Sequence, residues 1–306
     1  MDIRQLQYLS ALAREQHFTR AAQACNVTQP TLSERIRQLE EELGVPIVER
    51  GQRFHGFTAE GERVLKWAQV ILDNWSAMRQ EVNQLREGDA QIGGRLTVGV
   101  IPSALPIAAR LAKLIRAAHP NVDMVVLSQT SVEILRSLDD FSADVGLTYL
   151  DNEPISGLVS RPVYRERYCL FVRQDDPLAK MKTVTWSEAS KHTLALLTPN
   201  MQNRRIIDRA FQTAGAKPVT RVETNSLLNL CANVRETGLA AIMPEYVKST
   251  LGPGSDLVAV PLTEPDIEHA VGLVAIDRSP MPPLVTIALE MALALGKELK
   301  STDLGL

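Results

Sequence analysis

Residues 18–43, FTRAAQACNVTQPTLSERIRQLEEEL, constrain this chain more than any other stretch. They read as a short helix, a three-residue turn and a second helix whose first turn carries Gln29, Pro30, Thr31 and Ser33. Two helices coupled that closely pack at a steep angle, and the second can then lie in the major groove of DNA. The apolar pattern around them agrees. A preceding helix, about Ile3 to Arg14, gathers Ile3, Leu6, Leu9, Leu12 and Ala13 near one face, and the pair Ala21-Ala22 permits close approach by the next helix. Leu32, Ile36, Leu39 and Leu43 recur at spacings of four, three and four, which marks a buried side and turns Thr31, Glu34, Arg35, Arg37 and Gln38 elsewhere. Thr28 is placed to cap this helix, Pro30 is tolerated in its first turn, and Gly44 ends it. An amphipathic helix with a merely solvated polar face is the alternative. It leaves the preceding helix, the turn and the polar N-terminal residues unexplained.

Bulk charge does not carry the DNA reading. The net charge is −3, and in the first 60 residues Arg4, Arg14, Arg20, Arg35, Arg37, Arg50 and Arg53 face Asp2, Glu15, Glu34, Glu40, Glu41, Glu42, Glu49 and Glu60, seven against eight. Affinity must come from where the arginines stand. The stretch VPIVERGQRFHGFT suggests a short hairpin, Ile47 to Val48 and Phe54 to Thr58, with Gly51 at its tip. Such a wing sets Arg50 and Arg53 against the phosphate backbone or in the neighbouring minor groove.

From Thr58 to about Glu87 the sequence predicts one long helix. Val64, Ala68, Ile71, Trp75, Met78, Val82 and Leu85 alternate spacings of four and three. That 3.5-residue period is the pattern of a coiled-coil seam, hence of dimerisation; a helix lying on its own domain is the alternative. The helix ends at Gly88, and residues 89–94 read as a hinge.

Beyond the hinge, strands and helices alternate. Leu96 to Val100, Met124 to Leu127 and Val145 to Leu147 read as strands, separated by helices at Ala104 to Ala118 and Val132 to Leu138, a βαβαβ unit with a mostly parallel sheet. A second set has strands at Tyr168 to Val172, Leu194 to Leu197, Pro218 to Val222 and Leu239 to Met243, with helices at Trp186 to Ser190, Arg204 to Ala214 and Ser226 to Glu236. The tail, strand Ala270 to Ile276 and helix Leu284 to Leu299, is free to return to the first set. Two α/β lobes joined by crossing strands leave a cleft suited to a small ligand.

Other classes find little support. No G-x-S-x-G, H-E-x-x-H, G-x-x-x-x-G-K or G-x-G-x-x-G occurs, and His17, His55, His119, His192 and His269 are scattered, so an enzyme is not expected. Cys25, Cys169 and Cys231 lie far apart, which speaks against a disulfide framework or a zinc site and for a reducing cytoplasm. The N-terminus lacks an apolar signal-peptide core and no apolar run approaches a bilayer span, so neither membrane nor export is expected. A solute-binding protein would also use two α/β lobes, but it would not carry the helical head. An effector-independent DNA-binding protein would carry the head without needing the lobes.

With these parts in order, the chain resembles LysR-type transcriptional regulators over essentially its full length. The resemblance rests on FTRAAQACNVTQPTLSERIRQLEEELGVPIVER followed by FTAEGERVL, and more diffusely on AHPNV, SADVGL, DDPLA and ETGLAAIMPE. It implies a winged helix-turn-helix head (1–58), a linker and dimerisation helix (59–88), the hinge (89–94) and a two-lobed effector domain like that of periplasmic binding proteins (95–306). Lobe I then takes about 95–163 and 268–300, and lobe II about 164–267. The resemblance further implies a homotetramer built from linker-helix dimers on promoter DNA, contact with RNA polymerase, a small-molecule effector and no cofactor. DNA contacts carry over to Thr28, Gln29, Pro30, Thr31, Ser33 and Arg35 on the second helix and to Arg50 and Arg53 on the wing. Glu34 departs from the more basic or neutral pattern of relatives; it could accept from a cytosine amino group or simply meet solvent. For the effector, Ser103, Thr130, Ser131 and Thr148 follow or end three successive parallel strands, and Thr198, Gln202, Asn203 and Thr224 match the opposite lobe. That ring of hydroxyls and amides suits a small polar, anionic metabolite, with Arg204 and Arg205 as possible cations.

Overall fold

The computed structural model describes residues 1–49, 54–87, 92–151, 156–252 and 254–301. Arg50, Gly51 and Arg53 of the expected wing, and residues 88–91 around the expected hinge, lie outside them. The chain divides into two compact units at residues 91 and 92, with Asp139–Ser142 grouped with the first.

The first unit is helical. Asp2 caps α1 (Ile3–Glu15) through a reciprocal box with Gln5, each side chain bonding the other's backbone amide at 2.9 and 2.7 Å. Next come α2 (Phe18–Ala24) and, after the turn at Asn26, α3 (Gln29–Leu43). Gly44 takes the left-handed conformation, φ 71°, that ends α3. Tyr8, Ala11, Leu12, Ala21, Ala22, Leu32 and Ile36 form one apolar cluster, joined by Phe18, Val27, Phe54 and Phe57. Leu43 does not belong to it: at 41% exposure the last apolar residue of α3 faces solvent. The wing strands meet in a single antiparallel bridge, Val48 to Phe57. Its root is held by the Glu40 carboxylate, which accepts from the amides of Ile47 (2.7 Å) and Val48 (3.0 Å).

Helix α4 (Ala59–Glu87) divides the expected seam in two. Its first half packs on the head itself: Ala68 is buried with Leu6, Leu9, Leu39 and Ile47, flanked by Val64, Ile71 and Leu72. Gly61 permits this approach, because a Cβ there would stand 2.0 Å from the Ile47 carbonyl oxygen. Beyond it Trp75, Met78 and Val82 are exposed by 40, 46 and 49%. A continuous seam from Val64 is thus corrected: Val64, Ala68 and Ile71 are already occupied, and only the later positions remain open. The side chain of Leu85 lies outside the description.

The second unit holds two sheets. The first has the order β2-β1-β3-β11-β4, from β1 (Gly94–Val100), β2 (Val122–Ser128), β3 (Val145–Tyr149), β4 (Leu158–Glu166) and β11 (His269–Ile276). Strand β1 lies between β2 and β3 and parallel to both, while β11 runs antiparallel to β3 and β4. Helices α5 (Leu105–Ala118), α6 (Ser131–Asp139) and α11 (Pro283–Ser301) belong with this sheet. The second sheet, β6-β10-β5-β9-β7-β8, consists of β5 (Tyr168–Arg173), β6 (Val184–Thr185), β7 (Thr193–Leu197), β8 (Val219–Thr224), β9 (Ala240–Pro244) and β10 (Leu257–Thr263). With it go α7 (Trp186–Ala189), α8 (Gln202–Thr213), α9 (Leu227–Thr237) and α10 (Val247–Thr250). Only Arg167 separates β4 from β5, and a second link joins β10 to β11.

The sequence pattern gave no sign of β4, β6 or β10. Pro162 hides β4 and Pro261 hides β10, since proline weakens the case for any strand that contains it, and β6 is only Val184–Thr185, too short to show a period. Both prolines sit where proline is tolerated. Strand β4 is the sheet edge, and β6 covers only Leu262 and Thr263 of β10.

Candidate functional site

Two sites come out of the fold, one in each unit. In the first, the Thr28 hydroxyl accepts from the Thr31 amide at 3.4 Å and lies 2.8 Å from the Thr31 hydroxyl, fixing the start of α3. Thr28, Gln29, Pro30, Thr31 and Arg35 are exposed and Ser33 is half-buried, while Leu32, Ile36 and Leu39 anchor the opposite face. The helix therefore presents a polar N-terminal surface on a fixed apolar base, the form in which a helix enters a major groove. Glu34 is not idle there. It takes two hydrogen bonds from Arg37, at 3.1 and 3.0 Å, which with the Arg37 charge hold its carboxyl below the usual range. Arg35 reaches Asp2 at 3.7 Å and Gln38 at 3.4 Å.

In the second unit a cavity opens at the carboxyl ends of the parallel strands, where β1 sits between β2 and β3, the switch point at which open α/β sheets receive ligands. One wall is Ile101, Pro102 and Ser103 after β1, Thr130 and Ser131 after β2, and Tyr149 at the end of β3. The other is Leu197 from β7 with Met201, Gln202 and Asn203 at the start of α8. Its volume is small, about 10 Å³, space for one water-sized group. Local sequence explains the polar lining. Thr130 caps α6 in a box with Glu133, whose carboxylate accepts from the Thr130 amide at 2.7 Å while the Glu133 amide donates to the Thr130 hydroxyl at 3.2 Å. Ser131 is thereby left without a capping task. At α8 the N-cap is Met201, which supplies no side-chain acceptor.

Buried polar groups nearly always find partners. Here the Ser131 Oγ and the Asn203 Oδ1, in residues 1 and 4% exposed, have none among the described residues, and both residues line the cavity. Thr148 Oγ1 and Thr198 Oγ1 are likewise buried and unpartnered, one residue from the lining residues Tyr149 and Leu197.

Of the eight expected effector residues, Ser103, Thr130, Ser131, Gln202 and Asn203 meet at the cavity. Thr148 and Thr198 stand behind it, and Thr224 is a turn residue: its hydroxyl accepts from the Ser226 amide at 3.2 Å. The expected cations are absent from the wall. Arg204 is spent on Asp208 (2.9 Å), Glu223 (2.7 Å) and the Leu197 carbonyl (2.7 Å), and Arg205 bonds Gln202 and the Asn200 carbonyl. Among the described residues no lysine or arginine lines the cavity.

Sequence reasoning missed what lies behind Tyr149. The Glu166 carboxyl, 1% exposed, bonds the hydroxyls of Tyr149, Tyr168 (3.0 Å) and Tyr164 (3.1 Å), and the Asn203 amide stands 3.4 Å away. Burial pushes this carboxyl up, and the hydroxyl hydrogen bonds pull it back only in part. Burial likewise pushes the Tyr149, Tyr164 and Tyr168 phenols well above their usual value. Burial also pushes the Cys169 thiol up to about 12, and Cys231 upward. Neither cysteine lines the cavity.

Comparison with known proteins places both sites in one family. Residues 3–62 match the bacterial regulatory helix-turn-helix protein, lysR family, and residues 89–296 match the LysR substrate binding domain. The hydrogen peroxide-inducible genes activator of Dickeya chrysanthemi is 30% identical over 283 residues, 92% of this chain and 91% of that one. The DNA-binding transcriptional dual regulator OxyR of Escherichia coli K12 is 29% identical over the same shares. Full-length OxyR from Pseudomonas aeruginosa, in a variant form, shares the fold with a TM-score of 0.77 at 24% identity, covering 96% of this chain and 98% of that one. CbnR complexed with its target DNA does so with a TM-score of 0.70 at 20% identity, covering 96% and 100%. These relatives are regulators of transcription, not enzymes. With a helix-turn-helix head and a two-sheet α/β regulatory domain that both match, the chain is a LysR-type transcriptional regulator.

Proposed function

We propose that this regulator reads promoter DNA with Thr28, Gln29, Pro30, Thr31, Ser33 and Arg35 of α3 and with Arg50 and Arg53 of the wing, under the control of a small polar anion held in the cavity. The division into head (1–58), linker helix (59–88), hinge (89–94) and effector domain (95–306) belongs to the same reading. One observation carries it: unpartnered buried groups, Ser131 Oγ and Asn203 Oδ1, lie at the strand ends where ligands of open α/β sheets bind. An anion accepts from the Ser131 hydroxyl and meets the first turns of α6 and α8, while a ligand hydroxyl or a water beside it donates to Asn203 Oδ1. A larger metabolite enters only if the two sheets move apart about the β4–β5 and β10–β11 links. The exposed Trp75, Met78 and Val82 support pairing of two chains along the later part of α4, with dimers joining as a tetramer and meeting RNA polymerase in the cytoplasm.

The relatives named for hydrogen peroxide raise a second reading, sensing by thiol oxidation. The thiols here do not favour it. Cys169 and Cys231 are buried, their thiols are pushed upward, and neither stands at the cavity. Reversible binding is the better account. The test is a thermal-shift screen of small carboxylates and inorganic anions on the full chain, followed by footprinting of its upstream DNA with each hit. A ligand-dependent footprint supports the reading, and one altered by peroxide alone replaces it. Within the footprint, Gln29→Ala relaxes sequence preference because a bidentate amide reads adenine, whereas Arg53→Ala weakens all sequences alike. Both variants binding operator and random DNA as the parent does refutes these contacts.

A further inference from the structure

An anion in this cavity meets a difficulty: its wall offers no cation, and a buried carboxyl stands directly behind it. Resting on the effector reading of the cavity, we propose that Glu166 and the bound anion share one proton, so that the site takes up a carboxylate-type ligand together with a proton from solvent, held on Glu166 and relayed to the cavity by the Tyr149 hydroxyl. Glu166 does not itself line the cavity and acts on it through residues that do, Tyr149 first; it is a positioning residue.

The hydrogen-bond geometry defines the relay. Tyr168 donates to Glu166 Oε1 at 3.0 Å and Tyr164 to Oε2 at 3.1 Å. The remaining bond joins the Tyr149 hydroxyl to Oε1. That hydroxyl also lies 3.3 Å from Asn203 Nδ2 and 3.4 Å from Ser103 Oγ, both from cavity-lining residues. A phenol has one proton to give. When Glu166 is ionised, Tyr149 spends its proton on Oε1 and shows only lone pairs to the cavity. When Glu166 carries a proton, it donates to the Tyr149 oxygen, and the Tyr149 proton turns outward toward Ser103 and the cavity. An anion there accepts from the second arrangement and is repelled by the first. Through two hydrogen bonds in series, the ligand charge and a Glu166 charge lie about 6 Å apart. At an effective dielectric constant near 20, repulsion at that distance changes a binding constant roughly a hundredfold.

No nearby charge removes the coupling. The groups facing Glu166 are Ser103 after β1, Tyr149 from β3, Tyr164 from β4, Tyr168 from β5 and Asn203 from α8. Among the described residues no lysine or arginine pairs with it, since its chain neighbours Arg165 and Arg167 turn to Glu268 at the surface. One layer further out, Tyr246 packs on Tyr164, and the His269 ring stands edge-on to that of Tyr149 at 6.3 Å. Burial lowers this histidine, so it adds no fixed positive charge.

The test uses the full chain and formate, the smallest carboxylate. Infrared difference spectra between parent and Glu166→Gln isolate the Glu166 carboxyl and follow its ionisation with pH. A protonated band is expected to persist in the ligand-free protein above the pH at which an exposed glutamate ionises, and saturating formate moves its loss upward by about two pH units, the hundredfold coupling. In parallel, formate binding weakens as pH rises for the parent and stays flat for Glu166→Gln; Tyr149→Phe, which keeps the ring, cuts the shift if Glu166→Gln fails to fold. A Glu166 that ionises at the pH of an exposed glutamate, or a titration that formate does not move, overturns the proposal. A footprint that responds to formate without movement of Glu166 leaves the effector reading standing and ends the shared proton. Movement of Glu166 without any ligand-dependent footprint does the reverse.

Discussion

Ser131→Ala separates a ligand-receiving hydroxyl from a structural one. Ser131 is 1% exposed and its Oγ has no partner among the described residues. A buried hydroxyl left in that state costs about 1–3 kcal/mol. Ser131 is the first residue of α6, and its neighbour Thr130 already provides the cap, so alanine loses no helix-starting interaction. Alanine is also the better helix former by up to about 0.5 kcal/mol. Removal of one oxygen leaves a gap too small to matter on this scale. The ligand-free variant is therefore more stable by about 1–2 kcal/mol. For a folding unit of 150–250 residues, each kcal/mol is about 2–4 °C, so the melting temperature rises by roughly 2–8 °C. The same change removes a hydrogen bond to the effector and weakens its binding about tenfold, or about 1.4 kcal/mol. Thr130→Ala is the internal control: one residue away it removes the α6 cap and destabilises by about 1 kcal/mol. Differential scanning fluorimetry with and without the screened ligand reads both effects. A lower melting temperature for Ser131→Ala means the hydroxyl holds the fold, and the argument that it awaits a ligand fails.

Four further outcomes follow from other parts of the molecule. Gly61→Ala gains about 1 kcal/mol of helix propensity but forces a Cβ to within 2.0 Å of the Ile47 carbonyl oxygen, so the head loses about 2 kcal/mol or more and DNA retention falls with it; a thermally unchanged variant refutes the close packing. Trp75→Glu and Met78→Glu change exposed residues, leaving the stability of the single chain within about 0.5 kcal/mol of the parent while sedimentation shifts to a lighter species; an unchanged sedimentation coefficient dismisses α4 as the pairing surface. Cys169 and Cys231 resist a thiol reagent in the folded protein and react on unfolding, since burial keeps both thiols protonated; rapid native labelling of either contradicts this. Finally, the raised Glu166 carboxyl makes stability pH-dependent with a definite sign: a carboxyl whose folded value exceeds its unfolded one contributes stability below the unfolded value and loses it as pH climbs through the folded one. Denaturant titrations should show that fall with rising pH in the parent and not in Glu166→Gln; an identical slope in both rules Glu166 out as its source.

The sequence expressed the head almost completely, because each signal there is local. Thr28, Pro30 and Gly44 act on their own helix, and Leu32, Ile36 and Leu39 repeat within it. The failures begin where a second element decides. Leu43 completes the apolar spacing of α3, yet it stands 41% exposed. Val64, Ala68 and Ile71 keep the coiled-coil period, but Gly61 lets the head claim them first. Periodicity states that a face is buried and is silent about what buries it.

The cavity divides the same way. Hydroxyl residues at strand ends were legible because parallel β/α units always deliver those ends to one edge, and five of the eight expected residues do line the space. Whether a given hydroxyl is already used depends on a partner three residues away or fewer: the Glu133 amide takes Thr130, the Ser226 amide takes Thr224, and none of the described residues takes Ser131. Glu166 was beyond reach for a different reason. It ends β4, a strand disguised by Pro162, and stands beside Arg165 and Arg167, so the string YRERY reads as exposed charge. In the fold, the two arginines turn outward to Glu268 while the alternation of β4 and β5 sends Tyr164, Glu166 and Tyr168 inward together. Period-two alternation across the link between the sheets carries one carboxyl to the back of the cavity. A group buried there without a cation costs stability whenever it ionises, so its retention is best understood through the ligand whose charge it must accommodate.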